Sequence, residues 1–217
     1  AGVLWAYVQP LLMVAAYYLV FDVVFAMRLG ENAPTKAVGA YLVVGALPWM
    51  AFCDALTRGM SSLVEAGGVL QKNALPPALF PAKSVVASMV VYGPLLLALI
   101  LGYGPQHGFA LALLSMPVLV GLQFLLCLLL AYALAILAAA VRDTLQVVAF
   151  LLSIGIFISP ILFPMSMFPE QWRWVLWLNP MSALVTGYQA ALLQGHWPPA
   201  SAWLITLTWI TCCALVL

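Results

Sequence analysis

The stretch "MFPEQWRWVLWLNPM", Met167–Met181, sets three tryptophans, a Glu–Arg pair and two prolines between two strongly apolar runs. Pro169 suits the first turn of a helix, and Glu170 favours the positive end of its dipole. Glu170 and Arg173 lie three apart, close enough to pair on one face. Asn179-Pro180 ends that helix, because a residue before proline is driven out of the helical region. Asn179 is also a good N-cap, with Pro180 at the first position of a second helix. That helix should run to about Gln194 and stop at Gly195, the residue type that closes helices. Pro164–Pro199 therefore reads as two short helices hinged at Asn179, neither long enough to cross a bilayer.

The chain around this segment is 66% hydrophobic and 6% charged over 217 residues, against about 25% charged in a soluble domain. Apolar runs recur along the whole length and alternating strands are absent, so the fold expected is all-α, a polytopic membrane protein. Six runs are long enough to span: Leu4–Met27, Ala37–Leu56, Ser84–Leu101, Leu113–Ala138, Leu145–Phe163 and Ala200–Leu217. Each offers about 18 to 26 residues where roughly 20 are needed, and together they make one transmembrane domain over 1–217. Pro117 inside the fourth run predicts a tilt or kink. Connections Thr57–Lys83 and Ala139–Thr144 share one side and carry Arg58, Lys72, Lys83 and Arg142; the other side carries Arg28, Lys36 and Arg173. The positive excess makes the first side cytoplasmic, with both termini there and the opening stretch outside. The net charge of +1 and the lack of a basic stripe argue against nucleic-acid binding. The chain starts and stops inside apolar runs without the features of a signal peptide, so both ends read as trimmed.

Trp172, Trp174 and Trp177 point around much of the first short helix, and two placements follow. The pair is an aromatic anchor at the headgroup level, or it is re-entrant and closes the outer end of a pathway, where broken backbone is covered by protein or a water cavity. In the long connection, Ser62 and Glu65 form a capping box that should start a short helix. Gly67-Gly68 weakens that helix, and Asn73 through Pro81 ends it. Such an element lies in the membrane interface or docks a soluble partner. Tyr18, Phe21 and Phe25 are spaced to share a face of the first span, as sugar-pathway lining or as ordinary packing. Asp22 is a pathway-lining acid or a hydrogen-bonded or protonated carboxylate near the outer end. Asp54 and Arg58, four apart, should pair. Arg142-Asp143 reads as a turn. Cys53, Cys127, Cys212 and Cys213 read as small apolar residues, and His107 and His196 as solvated; no metal-ligand spacing is present.

Four stretches carry a resemblance: "GVLWAYVQPL" (Gly2–Leu11), "SSLVEAGGVLQKNALPPALFP" (Ser61–Pro81), "VRDTLQVV" (Val141–Val148) and "SPILFPMSMFPEQWRWVLWLNPMSALVTGYQ" (Ser159–Gln189). In their order the chain resembles the membrane subunit of type-2 ABC exporters, in the branch that handles O-antigen, capsule and teichoic acid. It departs at Gly67-Gly68, where more polar residues are usual, and at Leu75, where Phe is common. The family's basic amphipathic helix before the first span and basic tail after the sixth are not among these residues. The resemblance implies two copies in the bacterial inner membrane and two ATP-binding cassette subunits docked from the cytoplasm, with ATP and Mg held by those partners and no cofactor in this chain. It implies ATPase coupling through Arg58, Ser62, Glu65, Leu70, Lys72, Arg142 and Asp143. It implies an external gate at Pro169, Trp172, Trp174, Trp177, Asn179, Pro180 and Tyr188. Tyr18, Phe21, Asp22 and Phe25 are then channel-lining candidates for a lipid-linked glycan.

The residues agree with a subunit driven from outside. No Gly-x-x-x-x-Gly-Lys-Ser/Thr motif occurs, so this chain is not itself the ATPase. An intramembrane enzyme needs H-E-x-x-H, paired intramembrane Asp or a Ser–His set, and the sequence has none of these. A channel or secondary transporter calls for charge relays or repeat symmetry, and neither is visible. A membrane scaffold is a remaining rival of another class. Within the exporter class, a drug or small-lipid exporter is the alternative.

Overall fold

A computed structural model describes residues 2–24, 37–104 and 111–217. Phe25, His107 and the Arg28–Lys36 connection lie outside the described residues. Among the described residues nine α-helices follow in chain order: α1 Gly2–Tyr17, α2 Val38–Glu65, α3 Gly67–Leu70, α4 Leu79–Tyr103, α5 Met116–Ala140, α6 Thr144–Gly155, α7 Arg173–Trp177, α8 Pro180–Leu193 and α9 Ala200–Val216. A π-helical segment, Tyr18–Val24, extends α1, and short 3-10 turns at Leu111–Ser115, Met165–Met167 and Glu170–Trp172 precede α5 and α7. Among the described residues the regular structure is all helical.

Among the described residues four helical runs are long and apolar enough to cross a membrane: Trp5–Val24, Val38–Glu65, Leu79–Tyr103 and Leu111–Ala140. The other two predicted spans are represented by shorter apolar helices, α6 and α9. The fifth predicted span, Leu145–Phe163, is corrected most: its helix stops at Gly155. Pro160 explains this, because its ring collides with the carbonyl four residues back, at Ile156, and it has no N–H to bond. Pro117 is corrected too. It does not kink a running helix but sits in the first turn of α5, where a missing N–H costs nothing.

The hub is α2. It touches α1, α4, α5, α6 and α8, and its residues Tyr41, Leu42, Val44, Leu47, Phe52, Ala55 and Leu56 are buried. Its 28 residues make it about 42 Å long at 1.5 Å per residue, beyond the roughly 30 Å of a hydrocarbon core. Small residues bring helices close, as in membrane bundles: a Cβ on Gly59 of α2 would stand only 2.5 Å from the Ala131 Cβ of α5. Among the described residues no buried side-chain nitrogen or oxygen lacks a hydrogen-bond partner. Gln123 of α5 donates to Pro48 O of α2 at 2.9 Å and accepts from Tyr188 Oη of α8 at 2.8 Å. Helix α1 is mostly exposed and is joined to α4 by the Tyr7 hydroxyl, which donates to Val90 O at 3.1 Å.

Candidate functional site

The backbone from Ile156 to Phe163 leaves the helix and runs in turns. Helix α6 alone is about 18 Å long (12 residues at 1.5 Å), well short of a bilayer core. Carbonyls freed by the break must find donors, since an orphaned one costs several kcal/mol in an apolar medium. The donors are side chains. Asn179 Nδ2 donates to Gly155 O at 3.2 Å and to Ser159 Oγ at 2.6 Å. Ser159 Oγ itself donates to Gly155 O at 2.7 Å, and Ser182 Oγ reaches Ile158 O at 3.4 Å. Gln189 Nε2 donates to Pro160 O at 2.7 Å. From α2, the Tyr41 hydroxyl donates to Pro160 O at 2.6 Å, with Phe163 O a second acceptor at 3.1 Å.

Three of those donors come from one helix. Asn179, Ser182 and Gln189 stand at i, i+3 and i+10, and Thr186 fills i+7, so α8 presents a polar stripe to the broken segment. The rest of α8 is apolar and buried on nearly every side, from Met181 through Leu193. Sequence reading of this block was accurate where the signals were local. Asn179 caps α8 by accepting from Met181 N at 3.0 Å, Pro180 occupies the first turn, and α8 ends at Leu193. Gly195 then takes a φ of 65°, the left-handed region glycine enters freely. Glu170 and Arg173 pair at 3.3 Å. Pro169 stands just before the Glu170–Trp172 turn rather than inside α7. Trp172 and Trp174 are exposed, while Trp177 is half-buried and its carbonyl accepts from Trp209 Nε1 at 3.4 Å. Tyr41, Ser159, Ser182 and Gln189 were missed. The stripe on α8 was the available signal for Ser182 and Gln189.

At the other end of the bundle, α2 runs straight through Ser62 and stops at Glu65. The capping-box reading is therefore corrected: Ser62 lies in the last turn of a helix that is already running, and its Oγ donates back to Gly59 O at 2.7 Å. A short helix, α3, does follow, but it begins at Gly67 rather than at Ser62 and includes Gly67-Gly68. Residues 71–79 are exposed, and Tyr132 Oη of α5 holds this loop by donating to Ala78 O at 2.8 Å. Arg58, Glu65, Lys72, Arg142 and Asp143 are exposed, Leu70 is half-buried and Ser62 faces inward. Asp54 and Arg58 pair at 2.9 Å as expected.

Two of the aromatics expected to share a face of the first span, Tyr18 and Phe21, lie on a π-helical segment, and Phe25 lies outside the described residues. The π-helical turn widens the backbone repeat across Tyr18–Val24, and the Phe21 ring lies 6.4 Å from that of Tyr17. Tyr18 is exposed. Asp22 takes the hydrogen-bonded option: its Oδ1 accepts from Gly39 N at 2.8 Å, capping the first turn of α2. His196 is exposed, and among the described residues no group of three or more His, Cys, Asp or Glu stands together as a metal set.

The family described as ABC-2 type transporter matches residues 1–193. This chain belongs to that family. It is 33% identical over 204 residues to the O-antigen export system permease protein RfbA of Myxococcus xanthus, covering 92% of this chain and 75% of the relative. Two proteins of the same name from Klebsiella pneumoniae are 22% and 21% identical over 197 residues, each covering 89% of this chain and 73% of the relative. The ABC-2 match takes in both ends described above, the α2–α4 loop and the broken α6 with its α8 stripe.

Proposed function

We propose that this permease subunit works as a homodimer with two separate ATP-binding cassette subunits and exports a lipid-linked or lipid-anchored polysaccharide across the bacterial inner membrane. The observation that carries this reading is the match, over about nine-tenths of the chain, to relatives named as O-antigen export permeases. The geometry suits the task. The loop around α3, with Arg58, Glu65, Leu70, Lys72, Arg142 and Asp143 near it, is the cytoplasmic coupling surface, and both termini lie on that side. Ser62 supports the surface from beneath rather than touching the partner. ATP and Mg bind in the partner, since this chain lacks a phosphate-binding loop. At the opposite end α7 and α8 form the external gate: Trp172, Trp174 and Trp177 anchor it at the headgroup level, Asn179-Pro180 is the hinge and Tyr188 its buried root. Tyr18, Phe21 and Phe25 line the outer part of the pathway, beside Asp22, which caps α2.

Cells lacking this subunit, or lacking the ATPase, should lose surface glycan and accumulate the lipid-linked form inside. Extraction and quantification of both pools tests this. Unchanged pools in both deletions would refute glycan export and leave export of a drug or small lipid.

A further inference from the structure

A cleft of about 350 Å3 opens between the broken α6 segment, the C-terminal half of α8 and the turn leading to α9. We propose that this cleft binds one neutral sugar residue of the transported glycan, a reading that rests on the export function above and gives it a defined subsite. The lining decides the ligand class. The amide of Gln194, the hydroxyl of Thr186 and the imidazole of His196 face the space beside the indole of Trp197, over a floor made by Tyr41 and Gln189. Among the described residues no lysine, arginine, aspartate or glutamate lines it. Neutral hydrogen-bonding groups next to an exposed aromatic plane match a pyranose, whose C–H face packs on a ring while its hydroxyls bond to amides and hydroxyls. A phosphate would call for cationic groups, and an acyl chain for a uniformly apolar wall. Such walls exist elsewhere, in the groove between α4 and α5 lined by Leu96, Leu97, Ile100 and Val120.

The polar groups are ready to bind. Among the described residues, no partner takes up the side chains of Gln194 or His196. Thr186 Oγ1 donates to Ser182 O at 2.9 Å and so keeps its lone pairs for a hydroxyl. Trp197 is 57% exposed. Its ring is steadied from behind by Trp203, whose centroid lies 6.2 Å away in a stacked arrangement. The Gly195 turn, closed by His196 N donating to Ala190 O at 3.1 Å, holds His196 and Trp197 at the rim. The floor is rigid because Tyr41 and Gln189 are already engaged with Pro160 O. A volume of this size falls within the range of small-molecule sites, about 300–1,000 Å3.

The test is saturation-transfer NMR on the full-length subunit assembled with its ATPase in nanodiscs, free of sugar detergents. The probes are the methyl glycosides of glucose, galactose, mannose, rhamnose and N-acetylglucosamine. At least one should receive saturation from the wild-type complex. Trp197→Ala and Gln194→Ala should each weaken it about threefold to tenfold, as expected for loss of one or two net contacts, while Trp197→Phe should retain most of it. Trp5→Ala, an exposed tryptophan on α1 outside the cleft, should leave it unchanged. No transfer to any glycoside, or equal transfer in the wild type and the cleft variants, would overturn the proposal. Glycan pools from cells expressing each variant separate the two levels. Export without sugar transfer removes the subsite and leaves the exporter, whereas sugar transfer without export removes the exporter and leaves the site.

Discussion

At the scale of single residues, the break after Gly155 depends on small size and on capping. A Cβ on Gly155 would stand 2.5 Å from Cη2 and 2.8 Å from Cζ2 of the Trp49 indole, which is buried and has no free end to swing away. Gly155→Ala should therefore destabilise the subunit by about 1–3 kcal/mol, the usual cost of overpacking. Trp49→Phe in the same chain should recover part of it, a coupling that thermal melting of the four variants would reveal. Asn179 both caps α8 and donates to two groups of the broken segment, so Asn179→Ala should cost about 2 kcal/mol or more. Glu170→Ala removes an ion pair whose carboxylate side chain is 87% exposed, and its melting temperature should match that of wild type. Equal losses for Asn179→Ala and Glu170→Ala would contradict this ranking.

At the scale of elements, the legible features are those written within a few residues of one another. Asn179-Pro180, Gly195, Glu170 with Arg173 and Asp54 with Arg58 all act over one to four positions, and all stand where the sequence placed them. Ser62 and Glu65 misled because a Ser-x-x-Glu pattern does not say whether a helix has already begun. Glu65→Ala should accordingly leave stability within about 0.5 kcal/mol of wild type, where loss of a working capping box would cost more. Gly67 and Gly68 have open space where a Cβ would go and no positive φ. Replacing both by Ala should raise hydrogen-exchange protection at Val69–Asn73, because each substitution favours helix by about 1 kcal/mol. Unchanged protection would show that α3 is held by something other than its own backbone. The break in α6 was not read from the sequence, although Pro160 was an available signal, and the helix ends further back than the proline. Apart from Ser159, the donors that make the break tolerable lie 20 to 122 positions away, beyond any local pattern.

At the scale of the whole molecule, α2 and α8 form a buried centre around which the longer apolar helices pack. Gln123 joins them through Pro48 O and Tyr188 Oη, and the α8 stripe joins them to the broken α6. Movement of α8 away from α6 would release Ser182, Gln189 and Asn179 together from Ile158, Pro160 and Gly155. That shared set of bonds ties α8 and the broken segment into one element. The all-helical architecture was legible from composition and run length alone, because lipid leaves few other options to an apolar backbone. Span lengths were less so, since α2 outruns its apolar stretch and α6 falls short of its own.

The most direct measurement locks that element. Cysteines placed by Ile158→Cys and Ser182→Cys, where the Ser182 hydroxyl already meets the Ile158 carbonyl at 3.4 Å, would be oxidised to a disulfide in a chain whose exposed Cys212 is replaced by Ser. Surface and intracellular glycan are then quantified before and after reduction, alongside assembly with the ATPase. The gate account predicts that the locked form assembles with the ATPase but holds glycan inside, and that reduction restores export. Normal export with the disulfide intact would contradict it.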